Sequence, residues 1–161
     1  MPESLLSIEP ALGTHHVSLI RTLFSEYQKT IGIDLEYQGF EEELAGLPEP
    51  YCPPDGGLFI GRIGRHLAGC VAFKRLEAQN AEMKRLYVRP QHQSSGLGRR
   101  LVLTVIDQAR KAKYTKLRLD TLPDMAAAQA LYQKLGFEEI PPYSRRHLPG
   151  TQFYELHLKV S

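Results

Sequence analysis

The sequence predicts an α/β (α+β mixed) domain: a central mixed, mostly antiparallel sheet of about seven strands with helices on both faces. Three observations carry this. Segments with a period of two and segments with a period of 3.6 follow one another as strand, two helices, three strands, helix, strand, helix, two strands. Three strands in succession joined by short turns pair as antiparallel neighbours, which a doubly wound parallel sheet does not do. The 161 residues, 42% of them hydrophobic, suffice for one domain spanning 1–161, and no repeat, linker or low-complexity segment divides them.

Each element has a local reason. Leu5 to Glu9 forms a short first strand. Thr14 or His15 opens a helix whose apolar stripe is Val17, Ile20, Leu23, Phe24 and Tyr27, and Gly32 interrupts it. His15 and His16 are adjacent, so on a helix they point apart and form no chelate. Gly39 to Leu47 reads as a second, shorter helix, with Phe40, Leu44 and Leu47 on one side. Leu47 to Gly57 holds four prolines and two glycines and is loop. Leu58–Ile63 and Leu67–Phe73 form a hairpin across Gly64-Arg65-His66, and Ala81–Val88 adds a third antiparallel strand. Leu97, Leu101, Val102, Val105, Ile106 and Ala109 make one apolar helix face. Lys116–Asp120 alternates as a strand. Pro123-Asp124 starts a helix carrying Ala128, Leu131 and Leu135, with Asp124 as its cap and Gly136 closing it. Phe137–Ile140 is a short strand, residues 141–150 a loop bounded by prolines, and Thr151–Val160 the final strand. An exposed edge on that last strand would suit a homodimer.

Composition narrows the partners. A formal net charge of +2 is too small to make nucleic acid a principal partner. No apolar run approaches a membrane span and no signal peptide is visible, so no membrane partner and a cytoplasmic location are expected. The two cysteines, Cys52 and Cys70, show neither a disulfide framework nor metal spacing, which favours a reducing compartment and no metal.

The stretch Glu82 to Leu103, EMKRLYVRPQHQSSGLGRRLVL, organises the chain. A strand with Leu86 and Val88 on one face and Tyr87 on the other ends before Pro90, which cannot donate a ladder hydrogen bond. Ser94, Ser95, Gly96 and Gly98 then let backbone N–H groups approach a ligand, and a helix opens directly. Unpaired first-turn N–H groups and the helix dipole make this an anion site. It is not a P-loop, which needs G-x-x-x-x-G-K-[ST]. It is not the dinucleotide fingerprint either, since G-x-G is followed here by Arg99 and Arg100.

What fits is Gln93-Ser94-Ser95-Gly96-Leu97-Gly98, a Q-x-x-G-x-G pattern after a strand ending in Val-x-Pro. It resembles the acyl-CoA signature [RQ]-x-x-G-x-[GA] of the GCN5-related N-acetyltransferases, the GNAT family. A second stretch, AQALYQKLGF from Ala128 to Phe137, resembles the family's A-x-x-L-Y-x-x-x-G-F motif, in the family's order. The resemblance extends over nearly the whole chain through the order of elements. It implies a three-layer α/β/α domain, acetyl-CoA as donor and an amine as acceptor. It also implies that the strand before the signature parts from its neighbour and pairs with the pantetheine arm like an added strand. On that implication Leu86, Tyr87 and Val88 offer backbone groups to the cofactor. Gln93, Ser94, Ser95, Gly96, Leu97, Gly98 and Arg99 would hold the pyrophosphate, with Arg99 or Arg100 adding a charge-assisted contact. The chain departs from the family at Met125, where an asparagine is often found seven residues before the tyrosine.

The chemistry needs a base and an acid. An alkylamine is unprotonated only on the order of one part in a thousand at pH 7. Glu82, six residues before Val88, matches a glutamate frequent in the family and is the candidate base, acting directly or through water. Strict alternation places it on one face with Lys84, Leu86 and Val88, unless a bulge changes the phase; a salt bridge to Lys84 or a neighbouring arginine is its alternative role. Tyr132 matches the family's general acid toward the departing thiolate, its alternative being a core tyrosine. The backbone N–H of Val88 would stabilise the oxyanion. Cys70 reads as core. The acceptor site is expected from the first helices, the Tyr37 to Tyr51 region and the 141–150 loop. Its candidate lining groups are Tyr37, Tyr51, Tyr143, Arg145, Arg146 and His147, and the two arginines suit an acceptor bearing a carboxylate or an exposed basic loop equally. The expected activity is direct acetyl transfer to a primary amine of a small molecule or amino acid. A non-catalytic acyl-CoA module and an acetyltransferase acting on protein N-termini or lysines are the alternatives.

Overall fold

Strand β4 (Asn80–Val88) is the member of the sheet on which the site depends, and the other elements are placed around it. The computed structural model describes residues 5–159, the side chain of Tyr37 apart. In chain order come β1 (Leu6–Pro10), α1 (Thr14–Ile31), α2 (Phe40–Gly46), β2 (Gly57–Ile63), β3 (His66–Glu77) and β4. They are followed by α3 (Leu97–Lys111), β5 (Lys116–Thr121), α4 (Ala126–Lys134), β6 (Glu138–Ile140) and β7 (Gln152–His157). The expected order of elements is thus found.

The sheet has seven strands in the order β1-β2-β3-β4-β5-β7-β6. Only β4 and β5 run parallel; the other neighbours are antiparallel. The final strand of the chain is inserted between β5 and β6, paired on both sides, so it offers no full open edge. The outer strands are β1 and β6. The last strand runs from Gln152 to His157, and the Leu158 N–H carries the same register one step further by donating to the carbonyl of Thr115 at 2.8 Å. Helix α4 starts later than Pro123-Asp124. Met125 occupies the cap position with no side-chain cap bond, so Asp124 does not cap it. Gly136, at φ +95°, closes the helix as expected.

Alternation along β4 is broken once. Tyr87 pairs with Cys70 but Lys84 pairs with Ala72, so Arg85 and Leu86 together oppose Val71. Arg85 takes up the extra length at φ +61°. Met83, Leu86 and Val88 therefore pack toward the core that α3 and α4 cover, and Tyr87 toward the core under α1 and α2. The bulge changes the phase that strict alternation predicts: Glu82 does not share a face with Leu86 and Val88.

Two more features position the site. β4 and β5 pair only at Asn80–Glu82 against Lys116–Arg118, and past Glu82 the two strands part. Leu97, the first residue of α3, is fully buried on a floor made by Gly61 and Gly69. A Cβ on Gly61 would stand 2.7 Å from Leu97 Cδ1, and one on Gly69 would stand 2.5 Å from the backbone oxygen of Tyr87. The glycines thus draw the N-terminus of α3 down beside the end of β4. Because the obstacle at Gly69 is backbone, Gly69→Ala has to push β4 outward. A loss of about 1–3 kcal/mol of stability is expected, read as a lower midpoint in thermal or urea unfolding; an unchanged midpoint would contradict the packing described.

Candidate active site

Where β4 and β5 part, two depressions meet end to end. The first is a groove of about 570 Å³. One wall is Leu86, Val88, His92, Gln93, Ser94, Ser95, Gly96, Gly98 and Arg99; the other is Thr30, Ile31, residues 124–128 and Leu131. Ser94 at φ +67° and Gly96 at φ +90° turn the loop so that it opens α3 at the groove. Gln93 ties the loop back to the strand by donating its amide to the Val88 carbonyl at 3.3 Å, and Ser95 accepts from the Leu97 N–H at 3.3 Å. The remaining first-turn amides, the helix dipole and Arg99 favour a phosphate here.

Most of the expected cofactor residues line the groove, and three side chains lie off it. For Leu97 and Tyr87 the expected contact is through the backbone, which the direction of the side chain does not alter. Leu97 is buried beneath the loop. Tyr87 turns its side chain to α1 and donates its hydroxyl to Glu26 Oε1 at 3.2 Å. Arg100 lies on another face of α3, beside Thr104, Gln108 and Lys111. Successive helix residues diverge by about 100°, so the two arginines could not both face the groove. The opposite wall includes Asp124, expected as a helix cap, and Met125, where the family often has an asparagine. Freed from capping, Asp124 lines the groove.

The second depression is a narrow cleft of about 40 Å³ between the parted strands. Lys84, Arg85 and Leu86 of β4, Asp120 of β5, Tyr132 of α4, His147 and Tyr27 line it. Leu86 and Met125 line both depressions and so mark their junction. Tyr132 is 5% exposed, with its ring packed against Phe137 and Tyr154 at 5.6 and 6.1 Å. Burial pushes its pKa well above that of an ordinary phenol, so it keeps its proton at any working pH.

Glu82 is buried beside the cleft rather than on its wall. It accepts a hydrogen bond from Tyr143 at 2.7 Å, and no ion pair to Lys84 forms. Burial, together with the charges of Glu82 and Asp120, pushes the Tyr143 phenol far up. Tyr143 is held in turn against Phe153, ring centres 4.9 Å apart. Arg118, bound to Glu155 at 2.8 Å, lies over its other side. Asp120, which the sequence reading passed over, has its carboxyl raised above the usual range, first by burial and then by the Glu82 charge, with Lys84 working against both. Its signal was present in the alternation Arg118, Asp120 opposite the apolar Leu117, Leu119.

Of the other expected acceptor groups, His147 lines the cleft and Tyr143 stands behind it on Glu82. Tyr51 is core: 1% exposed, it donates to Glu43 Oε2 at 2.9 Å. Glu43 in turn clamps Arg85 at 2.7 Å. Arg145 and Arg146 are exposed and off the cleft wall. Tyr37's side chain lies outside the described residues. Cys70 is fully buried and burial pushes its thiol far up, as suits a core residue. Among the described residues no group of His, Cys, Asp or Glu could hold a metal, and no helix is long and apolar enough to cross a membrane.

Comparison with known proteins agrees with this geometry. The profile of the acetyltransferase (GNAT) family matches residues 19–137. An uncharacterized N-acetyltransferase of Schizosaccharomyces pombe is 33% identical over 98% of both chains. An IAA acetyltransferase of Azospirillum brasilense is 34% identical over 89% of this chain and 90% of its own. A GNAT acetyltransferase of Staphylococcus aureus shares the fold at a TM-score of 0.79 and 21% identity, covering 96% of this chain and 99% of that one. A Bacillus subtilis acetyltransferase solved in complex with CoA shares it at a TM-score of 0.69 and 21% identity, over 96% and 99%. The chain therefore belongs to the GNAT family and is an acetyl-CoA-dependent acetyltransferase.

Proposed function

We propose that this chain, as one catalytic domain over 1–161, transfers the acetyl group of acetyl-CoA directly to a primary amine of a small molecule or amino acid. The observation that supports this most is the junction at Leu86 and Met125. A long groove with a phosphate loop at one end opens, at the other, into a narrow cleft holding a carboxylate and a protonated phenol. Leu86 and Val88 carry backbone groups to the pantetheine, and the 93–99 loop with Arg99 takes the pyrophosphate. The amine enters the cleft from the side of α1, α2 and the 141–150 loop. A carboxylate at the parting strands receives its proton. Tyr132 gives its proton to the departing thiolate. No step calls for a metal.

The test is thermal unfolding with acetyl-CoA followed by thiol release over a panel of primary amines, amino acids and peptide N-termini. Acetyl-CoA at about a hundred times its Kd is expected to add about 2.7 kcal/mol of stability. Release is expected to rise with a small amine or amino acid. Cofactor binding with no release on any acceptor would instead describe a non-catalytic acyl-CoA module. Release on peptides alone would describe a protein acetyltransferase.

A further inference from the structure

We infer that Asp120, rather than Glu82, is the carboxylate that meets the acceptor's ammonium and takes its proton. The inference rests on the acetyl-transfer reading above and assigns its base. Asp120 is the one carboxylate on the cleft wall among the described residues, and Tyr132 lines the same cleft. Glu82 lies off that wall, 6% exposed, with a carboxylate oxygen occupied by Tyr143. Asp120 accepts no hydrogen bond from any described residue and stands in no ion pair within 4.0 Å. The other buried or half-buried carboxylates nearby are all held: Glu43 by Arg85 and Tyr51, Glu155 by Arg118, Glu26 by Arg89 and Tyr87. A half-buried carboxylate left without a donor beside a cavity is poised for a cation from outside.

The placement follows from the sheet. Glu82 and Arg118 are the last paired residues before β4 and β5 part. Asp120 stands two residues further along β5, inside the opening, whereas Glu82 stays where the strands are still joined. Its charged and titratable surroundings are Lys84, Glu82 and Arg85 on β4, Tyr132 on α4, Tyr27 on α1, and Tyr143 and His147 on the 141–150 loop. Arg85 is neutralised by Glu43, which leaves Lys84 and His147 as the counter-charges. Burial raises the carboxyl pKa above the ordinary 3.8, which makes it a stronger base than a free aspartate.

The protons balance as follows. The ammonium gives one proton to Asp120, which later releases it to solvent. The neutral nitrogen attacks the thioester carbon; a C–N bond forms and the C–S bond breaks. Tyr132 gives its proton to the thiolate and is restored by the second proton of the acylated nitrogen. The products are amide, CoA thiol and one proton.

The experiment compares Asp120→Asn and Glu82→Gln with wild type. With an alkylamine, Asp120→Asn is expected to lower kcat/KM by about 10²-fold or more and to remove the acid limb of the pH profile, while acetyl-CoA still raises the Tm. With trifluoroethylamine, largely neutral at assay pH, the Asp120→Asn defect should shrink to within about tenfold, because no proton has to be taken first. Glu82→Gln should lose less and keep the acid limb. If Glu82→Gln removes the limb and Asp120→Asn keeps it, or if trifluoroethylamine leaves the Asp120→Asn defect undiminished, the assignment is overturned. Should wild type acetylate no amine, the acetyl-transfer reading fails on its own. Asp120 is then judged by carboxyl ¹³C NMR of the CoA-bound protein titrated with propylammonium. A shift at Asp120 that vanishes in Asp120→Asn supports the assignment, and a shift at Glu82 alone sinks it.

Discussion

Tyr132→Phe is expected to lower kcat by about 10²-fold or more while acetyl-CoA affinity stays within about threefold of wild type. The two halves of this expectation come from different atoms of one side chain. The ring is structural: it packs against Phe137 and Tyr154 at the base of α4, and phenylalanine keeps those contacts. The hydroxyl is chemical: it belongs to a residue lining the narrow cleft, next to the junction with the groove. Burial raises its pKa, which keeps it protonated in the ground state and makes it a donor only to a strong acceptor such as a developing thiolate. An interaction made late in the reaction shows in kcat and not in binding. Steady-state kinetics with titration calorimetry of the coenzyme measure the split. A variant with unchanged kcat would remove Tyr132 from the chemistry, and one with weakened coenzyme binding and unchanged kcat would make it part of the groove.

How far this site could be read from sequence differs along the chain. The loop from Gln93 to Arg99 and the motif around Tyr132 were legible because both depend on local rules: small residues at a strand-to-helix turn, and a helix closed by Gly136 at positive φ. The choice between Arg99 and Arg100 stayed open because which of two adjacent helical residues faces a groove depends on how α3 sits on the sheet, and Gly61 and Gly69 set that from elsewhere in the chain. The phase of β4 was hidden for a related reason. The bulge at Arg85 is stabilised by partners on α2, and nothing local distinguishes an arginine that takes positive φ from one that does not. Asp120 stayed unseen because it matters only where β4 and β5 part, a property of two strands far apart in sequence. The expected dimer edge failed likewise, since the last strand's place between β5 and β6 is a matter of topology.

Glu43→Ala is expected to cost about 3–5 kcal/mol of stability, or very roughly 6–20 °C in Tm. The guanidinium of Arg85 is 3% exposed and Glu43 is its only carboxylate partner among the described residues, at 2.7 and 3.0 Å; Gln38 adds a neutral acceptor at 2.8 Å. Removing Glu43 leaves a buried cation with only the neutral Gln38 acceptor, and the Tyr51 hydroxyl without its Glu43 acceptor. Burial alone would raise the Glu43 carboxyl, but the hydrogen bond and charge of Arg85, with Tyr51, hold it below its ordinary 4.5. A carboxyl depressed in the folded state contributes stability that is complete above about pH 4.5 and fades as pH falls through the lower folded value. The cost of Glu43→Ala should therefore be full at neutral pH and shrink in acid. Glu43→Ala combined with Arg85→Met should recover part of the loss, because the uncompensated charge is gone. The same pair has a consequence for the site. A non-glycine residue at φ +61° costs about 1–2 kcal/mol, and the Glu43 clamp is what holds Arg85 there. Releasing it loosens the bulge that aims Leu86 and Val88 at the groove. The KM for acetyl-CoA should then rise in Glu43→Ala even at temperatures where the protein is fully folded, and remain raised in the double variant, which restores stability but not the clamp. If the double variant recovers KM along with Tm, the bulge does not depend on the ion pair.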